Sequence, residues 1–117
     1  MDSTTTITEL KALVKKMVDD RNWDQFHTPK DLAMSISVEA SELLEHFLWN
    51  KPEGHPITSV NRADIEAEVA DVAIGILLFC SKAQIDLADA IVNKLKLIDQ
   101  KYPVAKCYGV SKKYDQL

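Results

Sequence analysis

The sequence predicts an all-α fold, and three observations support this class. Four stretches carry apolar residues at helical spacing, no stretch alternates with the period of a strand, and the connections are short. The 117 residues fit one domain, which we place over residues 1–117. A helical chain of this size often completes its core by pairing with a second copy. We therefore predict a four-helix bundle-type subunit whose core is completed by dimerisation.

The first two helices are predicted from their starting signals. Helix one should cover about residues 7–21, because Thr6 and Glu9 have the spacing of a capping box. Helix two should cover about residues 29–49, with Thr28 as its N-cap. A segment with two prolines and a glycine follows and should form a loop.

The last two helices are also bounded by local signals. Helix three is the most apolar and should cover about residues 60–83. Helix four should begin at the N-cap Asp86 and continue to about Lys101, before Pro103 ends it. The polar tail, residues 104–117, is expected to be irregular and ordered only when something binds it.

Composition and charge exclude several classes of function. The net charge of −4 offers no broad basic surface for a nucleic acid polymer. The longest apolar run, residues 69–80, is interrupted by an aspartate and is shorter than the roughly 20 residues that span a bilayer. The first residues have neither the basic nor the apolar region of a signal peptide, so we expect a cytoplasmic protein without a membrane partner.

Acidic side chains interrupt the apolar faces of helices two and three. Each helix carries one pair at a spacing of three residues, Glu39 with Glu42 and Glu68 with Asp71, and residues three apart share a helical face. One such pair alone would usually be a solvated surface, but two pairs on apolar faces favour a different interpretation. Buried carboxylates pair with cations, and no Lys or Arg lies near either pair along its helix. These four residues, the acidic quartet, therefore predict a site for Mg²⁺ or Mn²⁺.

Other phosphate and metal chemistries fit the sequence less well. No H-E-x-x-H motif is present, which argues against a zinc protease. Neither acidic pair continues as Glu-x-x-His, the pattern of a di-iron bundle. No G-x-x-x-x-G-K loop occurs, so a P-loop protein is excluded.

The two acidic pairs, read with their flanking blocks, resemble a known family. Glu39-Ala40-Ser41-Glu42 and Glu68-Val69-Ala70-Asp71 resemble the E-x-x-E … E-x-x-D signature of the MazG-like all-α nucleotide pyrophosphohydrolases. Residues 23–32, 42–49, 101–103 and 111–114 look like blocks of the dCTP pyrophosphatase branch. The resemblance covers roughly residues 8–117.

The resemblance implies a reaction, a cofactor and an assembly. These enzymes hydrolyse a nucleoside triphosphate to the monophosphate and pyrophosphate, with Mg²⁺ held by residues that match the acidic quartet. Their active sites form between chains of a homodimer, often a dimer of dimers, and their usual role is nucleotide-pool house-cleaning. The alternative from a different class is a non-catalytic helical interaction module that retains the fold.

Further residues are candidates to contact the substrate. Trp23 and Trp49 match positions that line the nucleotide pocket of the family, and His27 lies near them in the sequence. The alternative for both tryptophans is ordinary core packing. Three lysines are candidates to hold the outgoing pyrophosphate, with solvated side chains as the alternative: Lys94, Lys112 and Lys113.

Two departures from the family pattern concern the base. Gly75 stands where relatives can carry an aromatic residue, and it is expected to enlarge the nucleotide pocket. Ile98 stands where relatives often have Asn, and it removes a hydrogen-bonding group. We therefore expect dCTP as the first candidate substrate and leave dATP or a modified pyrimidine nucleotide as alternatives.

Overall fold

The structure, a computed structural model, describes residues 1–48 and 57–117, and every regular element within these ranges is helical. The chain divides into two compact units, Met1–Ile85 and Asp86–Leu117. The first unit contains α1 (Ile7–Asp20), a 3-10 turn (Asp24–Phe26), α2 (Pro29–Glu45) and α3 (Arg62–Ala83). The second contains α4 (Leu87–Lys101), α5 (Val104–Cys107) and a 3-10 turn (Tyr114–Gln116). The predicted all-α class is confirmed. Within the described ranges, no helix combines the length and the apolar character that crossing a membrane requires.

Three helices, α1, α2 and α4, start where the sequence predicts, because side chains accept hydrogen bonds from backbone N–H groups in their first turns. The Glu9 backbone N–H donates to Thr6 Oγ1 over 3.1 Å, and the Glu9 side chain accepts from the Thr6 backbone N–H over 3.3 Å. Thr28 Oγ1 accepts from the Asp31 N–H over 3.1 Å, and Asp86 caps α4 in the same way. The predicted capping box and both predicted N-caps are confirmed.

The end of α2 lies earlier than the sequence indicates. The helix ends at Glu45, whereas the apolar pattern predicts an end near Trp49, which lies outside the described residues. After Glu45 the hydrogen bonds tighten to a spacing of three residues, as in the 2.9 Å bond from the Phe47 N–H to the Leu44 carbonyl. Such tightening is common in a last helical turn, and apolar periodicity does not reveal it.

The tail contains more local structure than the sequence predicts. The segment expected to be irregular holds α5 and the second 3-10 turn. The ring of Tyr114 meets that of Tyr102 edge to face, with 6.2 Å between centroids, and Lys101 Nζ lies 4.9 Å from the Tyr114 centroid. These aromatic and cation–π contacts connect the end of the tail to the end of α4.

The core of the first unit forms where α3 packs against α2 and α1. Its most buried side chains, each no more than 6% exposed, are Val18, Leu32, Ile65, Leu77 and Cys80. Two long-range polar contacts add to this packing at the end of α3. Lys11 Nζ donates to the Ile85 carbonyl over 2.9 Å, and Lys82 Nζ lies 3.0 Å from Asp24 Oδ1. Both lysines therefore connect α3 to residues that precede α2.

Gly75 does not open space in this fold. It is buried, and a Cβ added there would lie 2.9 Å from Ile36 Cγ1 on α2. The side chain of Ile36 therefore occupies the volume that a larger residue at position 75 would need. The expectation that Gly75 enlarges a pocket is wrong for this chain, because the neighbouring helix fills the space. The glycine instead permits a close approach of α2 and α3.

The effect of Gly75→Ala on stability should depend on Ile36. With Ile36 present, overpacking costs about 1–3 kcal/mol, and the better helix propensity of Ala offsets roughly 1 kcal/mol of this cost. We expect a net loss of up to about 2 kcal/mol in the free energy of unfolding. In an Ile36→Ala background the same change should stabilise by about 1 kcal/mol. Urea unfolding of the four proteins measures this, and the same sign in both backgrounds would contradict it.

Candidate metal centre

Four carboxylates converge where α2 packs against α3. One oxygen of each member of the acidic quartet lies within 4.8 Å of the corresponding oxygens of the other three. One turn from the quartet, Ile36 on α2 contacts Gly75 on α3. Ile36 precedes the acidic pair of α2 whereas Gly75 follows the acidic pair of α3, so the two helices run antiparallel here. This arrangement brings the pair on α2 opposite the pair on α3. The predicted convergence of the two acidic pairs is confirmed.

Two of the carboxylate oxygens are buried without a partner. Glu39 Oε2 and Glu68 Oε2 are inaccessible to solvent, and neither has a hydrogen-bond partner among the described residues. Asp71 is exposed, so the quartet opens to solvent on one side. A buried polar atom without a partner costs free energy, and native structures rarely keep one unless an ion or water satisfies it. Oxygen atoms of this kind are ligands for a hard divalent cation, and the quartet could bind one.

The electrostatics of the quartet disfavour full ionisation. The pKa of Glu39 is raised above its usual range, first by its hydrogen-bonding contact with Glu42, and then by burial and the other carboxylate charges. Burial is the largest cause of the raised pKa of Glu68, and the charges of Glu42 and Asp71 add to it. A bound cation would remove this repulsion and stabilise the ionised carboxylates.

His46 lies beside the quartet, and the sequence patterns considered above do not identify it. Its Nε2 is 3.8 Å from Glu68 Oε1, and the His46 and Glu68 side chains are 26% and 22% exposed. The nearby imidazole opposes the upward shift of the Glu68 pKa. One sequence signal was present: His46 follows Glu42 by four residues, which places both on one helical face.

Two of the candidate base-binding residues, Trp23 and His27, lie elsewhere in the first unit. Trp23 is 45% exposed in the single chain, and the Arg21 guanidinium lies 5.6 Å from its ring centroid, so its role stays a prediction. His27 lines a cavity of about 210 Å³, together with Asp24 and Lys82. The apolar lining of this cavity comes from Val14, Val18, Leu32 and Leu78. The acidic quartet does not line it.

The three candidate phosphate-binding lysines lie in the second unit. Lys94 is exposed on α4, and Lys112 and Lys113 are exposed in the tail. Their predicted contact with pyrophosphate stays a prediction. Trp49, the second candidate for base stacking, lies outside the described residues, and its role stays a prediction too.

Comparison with known proteins identifies the family. The model of the MazG-like family matches residues 34–117, a range that contains the whole acidic quartet. The chain belongs to the MazG-like family. The resemblance drawn from the acidic pairs and their flanking blocks is confirmed.

Named relatives of this MazG-like chain are pyrophosphatases. Mouse dCTP pyrophosphatase 1 is 30% identical over an alignment 117 residues long. The alignment covers 96% of this chain and 68% of the mouse protein. The human protein of the same name is 29% identical over 116 residues, with the same two coverages. The crystal structure of a pyrophosphatase from Archaeoglobus fulgidus superposes with a TM-score of 0.72 at 36% identity, over 82% of this chain and 91% of that one.

Neutralising one quartet carboxylate should stabilise the metal-free protein at high pH. Because the pKa of Glu68 is raised above 4.5, the folded state holds its proton to higher pH than the unfolded state. Its unfavourable contribution is absent below the ordinary pKa and grows as pH rises through the raised value. We therefore expect Glu68→Gln to raise the melting temperature near pH 8 without metal, and to have little effect below the ordinary pKa.

With a divalent cation present, the wild type should instead have a higher melting temperature than the Glu68→Gln variant. Mg²⁺ or Mn²⁺ at about 100 times its Kd should stabilise the folded wild type by about 2.7 kcal/mol, an effect that the Gln variant should largely lose. Thermal unfolding with chelator and with cation measures both effects. Glu66→Gln is the matched control on α3, since Glu66 is exposed and pairs with Arg62 rather than with the quartet. Equal behaviour of the two variants would remove the support for a metal centre.

Proposed function

We propose that this chain hydrolyses a (deoxy)nucleoside triphosphate to the monophosphate and pyrophosphate, with Mg²⁺ held by the acidic quartet. One observation carries the proposal: four carboxylates converge at one interface, and two of their oxygens are buried and find no hydrogen-bond partner in the described part of the chain. The relatives named dCTP pyrophosphatase 1 and the archaeal pyrophosphatase support the reaction class. Nucleotide-pool house-cleaning is the role that we propose for this activity.

The charges of site and substrate explain why this reaction needs a cation. A triphosphate and the ionised quartet are both strongly negative, so direct contact between them would be repulsive. When bound, a divalent cation neutralises charge on the phosphates and activates water for attack on phosphorus. The quartet residues would hold the cation between α2 and α3, with Asp71 on the side open to solvent. Water adds across the phosphoanhydride bond between the first two phosphates, and pyrophosphate leaves.

The cavity beside His27 is the proposed site of the base. Leu32 precedes Glu39 by seven residues and Leu78 follows Asp71 by seven. Seven residues rise about 10 Å along a helix, a distance of the order that a nucleoside spans. The cavity is lined by both apolar and polar side chains, as sites for small molecules commonly are. The exposed ring of Trp23 next to the 3-10 turn is the proposed stacking surface.

The substrate proposed first is dCTP. It agrees with the names of the mammalian relatives, and Ile36 fills the volume that was expected to admit a bulkier base at Gly75. dATP and modified pyrimidine nucleotides remain the alternatives to be compared.

We propose a homodimer, or a dimer of dimers, as the active assembly. Three apolar residues of α4 at helical spacing are exposed in the single chain: Ile91 is 51%, Leu95 is 54% and Ile98 is 40% exposed. Exposed apolar residues at helical spacing are typical of a surface that another helix covers.

Turnover of a nucleotide panel tests the proposed reaction. Wild type should release pyrophosphate from at least one canonical or modified dNTP with Mg²⁺ and not with chelator. Glu42→Gln and Asp71→Asn should each lower kcat/KM at least about 100-fold, because even changes behind a metal ligand cost about 10–100-fold. Glu66→Gln, on the exposed side of α3, should retain activity. No turnover of any nucleotide would instead favour the non-catalytic module, and fully active quartet variants would refute the site.

A change at Trp23 tests the stacking surface separately. Base stacking on an aromatic ring is worth about 1–3 kcal/mol, so Trp23→Ala should raise KM roughly 5- to 100-fold with kcat little changed. Tyr108→Ala is the control, because Tyr108 is an aromatic residue that is 90% exposed in the second unit. Steady-state kinetics on the preferred nucleotide provide the measurement. An unchanged KM for the Trp23 variant would remove this ring from the proposed site.

A further inference from the structure

We infer that His46 is a positioning residue of the proposed metal centre, because its imidazole orients the Glu68 carboxylate for the cation. The inference rests on the proposed function, since it takes the acidic quartet as the metal ligands. His46 is outside the set of converging carboxylates and reaches it through Glu68.

The backbone of His46 is held at the end of α2. Its N–H donates to the Leu43 carbonyl over 3.3 Å in the tightened turn that follows Glu45. From this position the imidazole reaches across the helix interface to Glu68 on α3. Both side chains are about three-quarters buried, so solvent competes only weakly for the contact.

The two oxygens of Glu68 have different surroundings. Oε1 lies 3.8 Å from His46 Nε2, whereas Oε2 is buried and lacks a hydrogen-bond partner among the described residues. The distance of 3.8 Å is longer than a hydrogen bond of about 2.7–3.2 Å, so the proposed contact requires the two atoms to approach by at least about 0.6 Å. With Oε1 held by an N–H on Nε2, Oε2 remains available to the cation.

Such a difference between the two oxygens is characteristic of a carboxylate that binds a metal through one oxygen and a supporting side chain through the other. Ligating carboxylates are commonly hydrogen-bonded by a group that does not touch the metal, and losing that group weakens metal binding about 10–100-fold. A hard cation such as Mg²⁺ prefers the oxygen ligands that the quartet supplies over an imidazole nitrogen. His46 therefore fits the supporting position better than a place among the ligands. The competing explanation is an ion pair that only stabilises the contact between α2 and α3.

Mn²⁺ binding to the full chain without nucleotide separates the two explanations. His46→Leu and His46→Phe both remove the N–H, and the second keeps a ring in case the first does not fold. Each should raise the Mn²⁺ Kd about 10-fold or more. His46→Gln keeps an N–H donor and should restore most of the affinity. Isothermal titration, with Mn²⁺ electron paramagnetic resonance as the second method, gives the Kd values.

Arg62→Leu is the matched control for loss of an ion pair. Arg62 lies 3.7 Å from Glu66 on α3, and neither residue belongs to the quartet, so the Mn²⁺ Kd should not change. A wild-type Kd in the folded Leu or Phe variant would overturn the inference, and so would an equal loss in the Gln variant. If wild type itself bound no Mn²⁺, the proposed metal centre would fail and the role of His46 with it. Wild-type binding with unaffected His46 variants would refute the positioning role alone.

Discussion

Repulsion between like charges across the α2–α3 interface is the constraint that the packing of the first unit must overcome. The packing of α3 against α2 and α1 brings the acidic quartet within 4.8 Å, although each carboxylate disfavours ionisation of the others. The buried side chains of the same interface favour folding through the area that they remove from water. Apolar packing therefore brings together groups that would otherwise separate. A cation converts this repulsion into attraction, which explains how a strained acidic cluster can serve as a binding site.

The separation of α2 and α3 depends on a single small residue. Gly75 has no Cβ, and Ile36 lies where one would be, so the helices approach closely one turn from the quartet. A larger residue at either position would move the helices apart, and the carboxylates with them. Packing and chemistry are thus coupled at this interface, because protein interiors transmit changes of even one methyl group.

At the far end of α3, polar contacts add to the buried side chains of Leu77 and Cys80. Lys82 pairs with Asp24 and Lys11 donates to the Ile85 carbonyl, and these lysines are also at the wall of the cavity beside His27. Individual exposed ion pairs contribute little to stability. Their importance here is geometric. Lys82 connects α3 to the turn that precedes His27, and Lys11 connects α1 to the residue Ile85 that follows α3. One helix thereby takes part in both the proposed metal centre and the proposed base site.

The sequence by itself determined the helical class, the N-terminal caps and the membership of the acidic quartet. Caps, apolar periodicity and i, i+3 spacing depend on neighbours along the chain, so they can be read without coordinates. The packing of Ile36 over Gly75 depends on a contact between segments, which spacing does not encode. The same holds for His46 beside Glu68, because the two residues lie on different helices. Only the tertiary structure could decide these features, since each depends on how closely α2 approaches α3.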